Sequence, residues 1–301
     1  MGNRIRKDIV LSMSQVYRKE KWFVWLGGVG IGLAIMALAV IYVRGAQVAP
    51  EGNMADVFSF SAAVGIFLLS LAVVYTQTEF NTKSKQRIRF SIIGIILYFY
   101  AIEFVQHYRG INPRFTSEGS ILDMVLGGIF GMTSLLLIVL LMIISIHFWK
   151  MRQKTNDSLL KLSIRYALFS ILLANSAGLA MVALQGRYLG DSGNFIVLHG
   201  AGFHALQSLL IIAWLLERST GERNFIEKLL KTGCIAWTSA IMTVAIQTGL
   251  GRTIFELSPL PILAMICVSV WFVVLCIAIV MYAKSIKRNK EASGNWFKVS
   301  I

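Results

Sequence analysis

Eight stretches of this chain are apolar over about twenty residues or more, at about 22–43, 57–77, 89–108, 121–147, 160–184, 195–216, 230–249 and 260–283. A bilayer's hydrocarbon core is ~30 Å thick and a helix rises ~1.5 Å per residue, so each stretch is long enough to span it. Backbone groups in lipid need partners within their own segment, and strict alternation of apolar and polar residues is absent. The reading is an all-α integral membrane protein, a bundle of about eight transmembrane helices. The linkers are short and leave no room for a soluble domain. The expected organisation is a basic N-terminal segment (1–21), one eight-helix transmembrane domain (22–284) and a basic tail (285–301). The run from Trp22 to Val43 exceeds the usual ~7–15-residue core of a signal peptide and is read as a retained helix.

Only 15% of residues are charged, yet the net charge is +14. That apolar content excludes intrinsic disorder, and it argues against a soluble nucleic-acid binder. The charge follows topology instead. Twenty-four Lys and Arg fall in the N-terminal segment, in the loops after the second, fourth and sixth spans, and in the tail, whereas the opposite face carries only Arg44, Arg109, Arg114, Arg187 and Arg252. By the positive-inside rule both termini are cytoplasmic, which implies a multi-pass protein of the cell (inner or plasma) membrane with anionic lipid against its basic loops.

Ionisable groups inside a span are costly and are functional candidates by default. The third span ends in Glu103, Gln106, His107, Tyr108, Arg109 and Gly110, with Glu103 and His107 four apart on one face. The sixth carries His199, Gly200, Gly202, His204 and Gln207; His204 and Gln207 can share a face, whereas His199 and His204 cannot easily meet one ion. The fifth carries Asn175, Ser176 and Gln185, the seventh Gln247, and Asp123 opens the fourth. Glu103, Gln106, His107, His204, Gln207 and Gln247 are the candidate substrate or proton site. Arg109, Arg187 and Arg252 are candidates for an anion or lipid contact at the outer mouth, or for ion pairs with Glu103, Asp123 or Glu256. His107, His199 and His204 are the alternative haem or metal ligands.

The four outward-running spans end in Val43-Arg44-Gly45, Tyr108-Arg109-Gly110, Gln185-Gly186-Arg187 and Gly251-Arg252. Three have a Gln two to five residues before the Arg, a layout that hints at four helical hairpins or two four-helix halves. Gly28 with Gly32, and Gly127 with Gly131, have the small-xxx-small spacing of close helix contacts. Cys234, Cys267 and Cys276 show no metal-ligand spacing, and His147 before Phe148, Trp149 and Lys150 reads as an interfacial anchor. Walker A, HExxH, paired CxxC and GxSxG motifs are absent.

The run from His199 to Leu216 resembles a segment of a group of bacterial polytopic membrane proteins, in which a helix of the form H-x-x-G-x-H-A-L-Q leads into an apolar run ending in W-L-L. Tyr108-Arg109-Gly110 and Arg114-Phe115 resemble the same group. That pattern has a His before the Phe where this chain has Arg114, so the three-histidine outer site implied by the resemblance lacks one member. The resemblance brings no activity with it, and it draws attention to His199, Gly202, His204 and Gln207.

Four functions fit these residues. A transporter or channel for a small solute or ion would use the outer-half polar set. A haem- or metal-binding redox or sensor protein would use the histidines. An enzyme on a lipid head group would use Glu103 and His107 as acid and base, although no reaction is named by any motif. A partner subunit would have no site of its own.

Overall fold

The computed structural model describes residues 13–151 and 159–298, with side chains as far as Arg288. Arg4, Arg6, Lys7, Arg152, Lys154, Lys290 and Lys298, counted above as basic anchors, lie outside the described residues or side chains. Eight helical spans are long and apolar enough to cross a membrane, and the protein is an all-α multi-pass membrane bundle. In chain order the elements are α1 (Met13–Arg44), β1 (Gln47–Val48), β2 (Gly52–Asn53), α2 (Met54–Thr76), α3 (Thr82–Tyr108), α4 (Ile121–Lys150), α5 (Leu159–Leu184), β3 (Tyr188–Leu189), β4 (Gly193–Asn194), α6 (Phe195–Phe203), α7 (Ala205–Glu217), α8 (Arg223–Gly249) and α9 (Pro259–Lys298). α6 and α7 make one span, interrupted at His204.

Several helices begin earlier than their apolar cores. α3 starts at Thr82 because Asn81 caps it, its Oδ1 accepting from the Ser84 N–H at 2.9 Å. α1 starts at Met13, with a break in helical geometry at Glu20 (φ −132°, ψ 40°). Glu20 is buried there and receives two hydrogen bonds from Arg89 (2.9 and 3.0 Å), with Lys85 at 3.6 Å. Residues 13–19, part of the expected basic segment, are helical and precede this break.

The chain divides into two compact units, Ser12–His147 and one that takes in Phe148–Ile301. Each contains four spans in the same order, and from the hairpins to the ends of the third spans the two match at a displacement of 141 residues, whereas the fourth spans start 138 apart, at Ile121 and Pro259. α2 begins at Met54 and α6 at Phe195; α3 runs Thr82–Tyr108 and α8 Arg223–Gly249. Each unit has a two-residue β-hairpin between its first two spans, pairing Val48 with Gly52 in one and Leu189 with Gly193 in the other. Asn53 and Asn194 follow as N-caps, accepting from Ala55 and Ile196 N–H at 2.9 and 3.0 Å.

The third spans end alike as well. Gly110 (φ +83°) and Gly251 (φ +73°) adopt the left-handed conformation that glycine tolerates best. Ile111 and Arg252 N–H reach back to the carbonyls of Gln106 and Gln247, and Gly110 and Gly251 N–H to those of His107 and Thr248. This is the Schellman pattern. The Gly110 carbonyl then accepts from Glu51 N–H in the first hairpin, and the Gly251 carbonyl from Ser192 and Gly193 N–H in the second. A Cβ on Gly52 would run into the His107 carbonyl, and one on Gly193 would stand 2.6 Å from the Thr248 carbonyl.

The first turns of α2 and α6 face the core at matching positions with different side chains. Met54 and Val57 pack with Ala37 in the first unit, while Phe195 and Leu198 pack with Ala177 and Ile241 in the second. The close helix contact predicted for Gly28 and Gly32 is displaced. A Cβ on either would meet nothing within 4 Å, whereas one on Gly27 would meet Leu69 and the Gly65 carbonyl at 2.9–3.0 Å. The buried stripe of α1 is Gly27, Gly30, Ala34 and Ala37, and residues 28 and 32 point away from it because each step turns the helix by ~100°. Gly127 packs under the Pro113 and Arg114 carbonyls (3.2–3.3 Å), while Gly131 faces open space.

Candidate functional site around Glu103

Within the first unit the polar side chains gather at the end that carries the hairpin. Tyr100, Glu103 and His107 follow one another at three- and four-residue spacing on one face of α3, and all are buried, Glu103 completely. Glu103 Oε1 accepts a hydrogen bond from Arg114 in the loop before α4. His107 Nε2 lies 3.5 Å from the same oxygen. His107 Nδ1 accepts from the backbone N–H of Asn53 at 3.0 Å. A ring nitrogen that accepts is bare, so the neutral imidazole has its hydrogen on Nε2, the side of Glu103.

Four buried polar atoms in this unit have no hydrogen-bond partner: Glu103 Oε2, His107 Nε2, Tyr100 OH and Ser61 Oγ. Tyr100 reaches Gly30, where an added Cβ would collide with its hydroxyl and stand 2.9 Å from the Ser61 carbonyl. A buried polar atom without a partner costs ~1–3 kcal/mol, and among the described residues the second unit has five, on Asn175, Trp214, Trp237, Thr248 and Trp271, so what sets the first unit apart is that two of its four belong to the ionisable Glu103 and His107.

Arg114 enters from the loop with a third of its side chain exposed (32%). Its guanidinium lies 5.3 Å from the Phe60 ring centre and 5.5 Å from that of Phe130. Phe99 stacks on Phe130 at 4.3 Å behind it. Two carboxylates pin the loop at either side. Glu51, at the hairpin, accepts from Thr116 Oγ1, from Ser117 N–H and Oγ, and from Asn112 N–H. Burial pushes the Glu51 carboxyl upward, but the donors from Thr116, Ser117 and Asn112 outweigh it and hold the group at about 2. Asp123, at the start of α4, accepts from Gln106 Nε2, Arg109 and Ser120.

The candidate residues therefore separate by role. Glu103 and His107 face one another. Gln106 ties the loop to α4, donating to Asp123 and accepting from Arg109. Its counterpart Gln247 acts likewise in the second unit, donating to the Thr253 carbonyl (2.9 Å), Glu256 (3.2 Å) and Ser258 (3.4 Å). Arg109 pairs with Asp123 at 2.9 Å, Arg252 with Glu256 at 3.6 Å, and Arg187 lies over the Tyr188 ring at 5.3 Å. Arg44 donates to the Tyr108 hydroxyl at 3.2 Å.

The second unit carries His199, whose Nδ1 meets the Ala174 carbonyl at 2.9 Å and whose ring packs on Phe203. His204 is exposed, with Nδ1 3.2 Å from Gln207 Oε1. Gly202 allows α6 to close on α5: a Cβ there would stand 2.7 Å from the Ala174 Cβ and 2.8 Å from the Ser170 carbonyl. Among the described residues no three His, Cys, Asp or Glu side chains group as metal ligands. The positions matching Ser61, Tyr100 and Glu103 are Gly202, Ile241 and Val244, so among the described residues the buried carboxylate of this cluster belongs to the first unit alone. Ser61, Tyr100 and the three phenylalanines were not among the candidates. The three- and four-residue spacing from Tyr100 to His107 could have pointed to Tyr100, while Phe60, Phe99 and Phe130 resemble any apolar span residue. No protein-family model, curated protein or solved structure matches the chain.

Proposed function

We propose that this membrane protein is a transporter for a small solute, with Glu103 as the carboxylate that exchanges a proton or holds the solute. The observation that supports this reading is a fully buried carboxylate inside a span with one oxygen unpartnered, beside a histidine Nε2 that is also unpartnered. Charge in a span is costly and its retention marks a solute or proton path. The hairpin ends of both units face outward in this proposal, the basic loops and both termini lie in the cytoplasm, and the membrane is the inner or plasma membrane.

Reconstitution into liposomes containing a pH-sensitive dye tests it. The wild type responds to an imposed proton gradient or to added solute, and Glu103→Gln loses that response while remaining folded. A wild type without response, or Glu103→Gln with unchanged flux, overturns the reading.

A further inference from the structure

We propose that the Glu103 pocket is an organic-cation site and that Arg114 fills it as a tethered stand-in for a guanidinium or ammonium ligand. The proposal rests on the transport reading for its physiological sense, though binding itself can be measured without flux. Arg114 shows the chemistry that the pocket accepts: one nitrogen on Glu103 Oε1, with its face against Phe60 and Phe130. Aromatic faces attract weakly hydrated cations. A small hard cation requires about six oxygen ligands in place of its water. This pocket offers one carboxylate and a wall of phenyl rings, which suits a cation that sheds water easily.

Arg114 leaves hydrogen-bonding groups of the site unmet. Glu103 Oε2 accepts no hydrogen bond, and the Tyr100 and Ser61 hydroxyls have no partner. A free ligand with several N–H groups has donors to spare for Oε2, which Arg114 does not reach. Glu51 and Asp123 pin the backbone on either side of residue 114, so Arg114 can withdraw by rotation of its partly exposed side chain while its loop stays in place. The second unit has Val244, Ile241 and Gly202 where the first has Glu103, Tyr100 and Ser61, so the stoichiometry is one site per chain.

The test uses the purified full-length protein in detergent, thermal unfolding as readout, methylguanidinium as probe and sodium chloride at equal ionic strength as control. In Arg114→Ala the vacated site gives a saturable upward shift of the melting temperature. In the wild type the tethered guanidinium competes at an effective concentration of roughly millimolar or above, so half-saturation needs at least ~10-fold more probe. Glu103→Gln with Arg114→Ala removes the shift, and Phe60→Leu with Phe130→Leu in the Arg114→Ala background raises half-saturation ~10-fold. Arg114→Met keeps the packing on the rings and replaces the alanine variant should that one not fold. If neither folds, the wild type decides, and no saturable shift up to ~100 mM overturns the proposal, as does a folded Arg114 variant with none. Binding without flux would overturn transport and leave this site standing; Glu103-dependent flux without cation binding would do the reverse.

Discussion

Gly110→Ala and Gly251→Ala occupy matching positions in the two units, and the structure predicts unequal costs. Each puts an L-residue at positive φ (+83° and +73°), at roughly 1–2 kcal/mol. The surroundings then differ. At Gly110 the new Cβ collides with the Ala49 carbonyl and stands 3.2 Å from Pro50 Cδ. Neither can swing aside, so the hairpin must move and its Glu51 N–H to Gly110 carbonyl bond (2.8 Å) is lost, at about another 1 kcal/mol. At Gly251 the nearest atoms are Gly190 Cα at 3.0 Å and the Leu189 carbonyl at 3.2 Å, which a shift of a few tenths of an ångström relieves. The expected losses are ~3 kcal/mol for Gly110→Ala and ~1.5 kcal/mol for Gly251→Ala. Gly28→Ala, in open space, is neutral within ~0.5 kcal/mol or slightly stabilising. Chemical unfolding in mixed micelles, followed by tryptophan fluorescence, measures all three. Equal losses at 110 and 251, or losses no larger than at Gly28, would refute the backbone account of these joints.

Removal of Arg114 alone should cost more than removal of the whole pair. Arg114→Ala strands the buried Glu103 carboxylate, at ~2–3 kcal/mol once the partial exposure of Arg114 is allowed for, whereas Glu103→Gln with Arg114→Ala should cost ~1 kcal/mol; an additive double variant in the same unfolding assay would count against the ion pair. Glu51 is held below its ordinary value of 4.5, at about 2, so its stabilising effect is complete above pH ~4.5 and is lost as the pH falls through ~2. Melting temperature between pH 5 and pH 2.5 should therefore fall more steeply for the wild type than for Glu51→Gln, and parallel curves would remove Glu51 from the loop clamp.

The spans were legible because their apolar length is dictated by the bilayer. Their polar ends were not, because hydropathy is blind to the Asn81 cap that extends α3 and to the Glu20–Arg89 pair that buries a charged residue in α1. The repeat was half legible. The sequence layout paired arginines, but Arg109 corresponds to Leu250 and Arg252 to Ile111. What recurs is Gln106 with Gln247 and Gly110 with Gly251, because the loop clamp and the left-handed turn require those side chains, whereas an arginine at a helix end finds different partners in each unit. Glu103 and His107 were marked by their cost in a span. Arg114 drew notice as one of five outer arginines and as a departure from a histidine pattern, but its partner did not, since no spacing rule connects a loop residue to a carboxylate eleven positions earlier.

The unit that recurs has four spans, an even number, and parity has a consequence for how such a chain enters a bilayer. A copy with an odd number of spans would arrive upside down, and its basic loops would have to be rewritten before it could insert. A copy with four begins on the side where the first began, so the same distribution of lysine and arginine serves both without change. The second unit has Val244 and Ile241 where the first has Glu103 and Tyr100, yet it keeps the hairpin and the left-handed glycine, so the joint between them does not depend on the charged pocket.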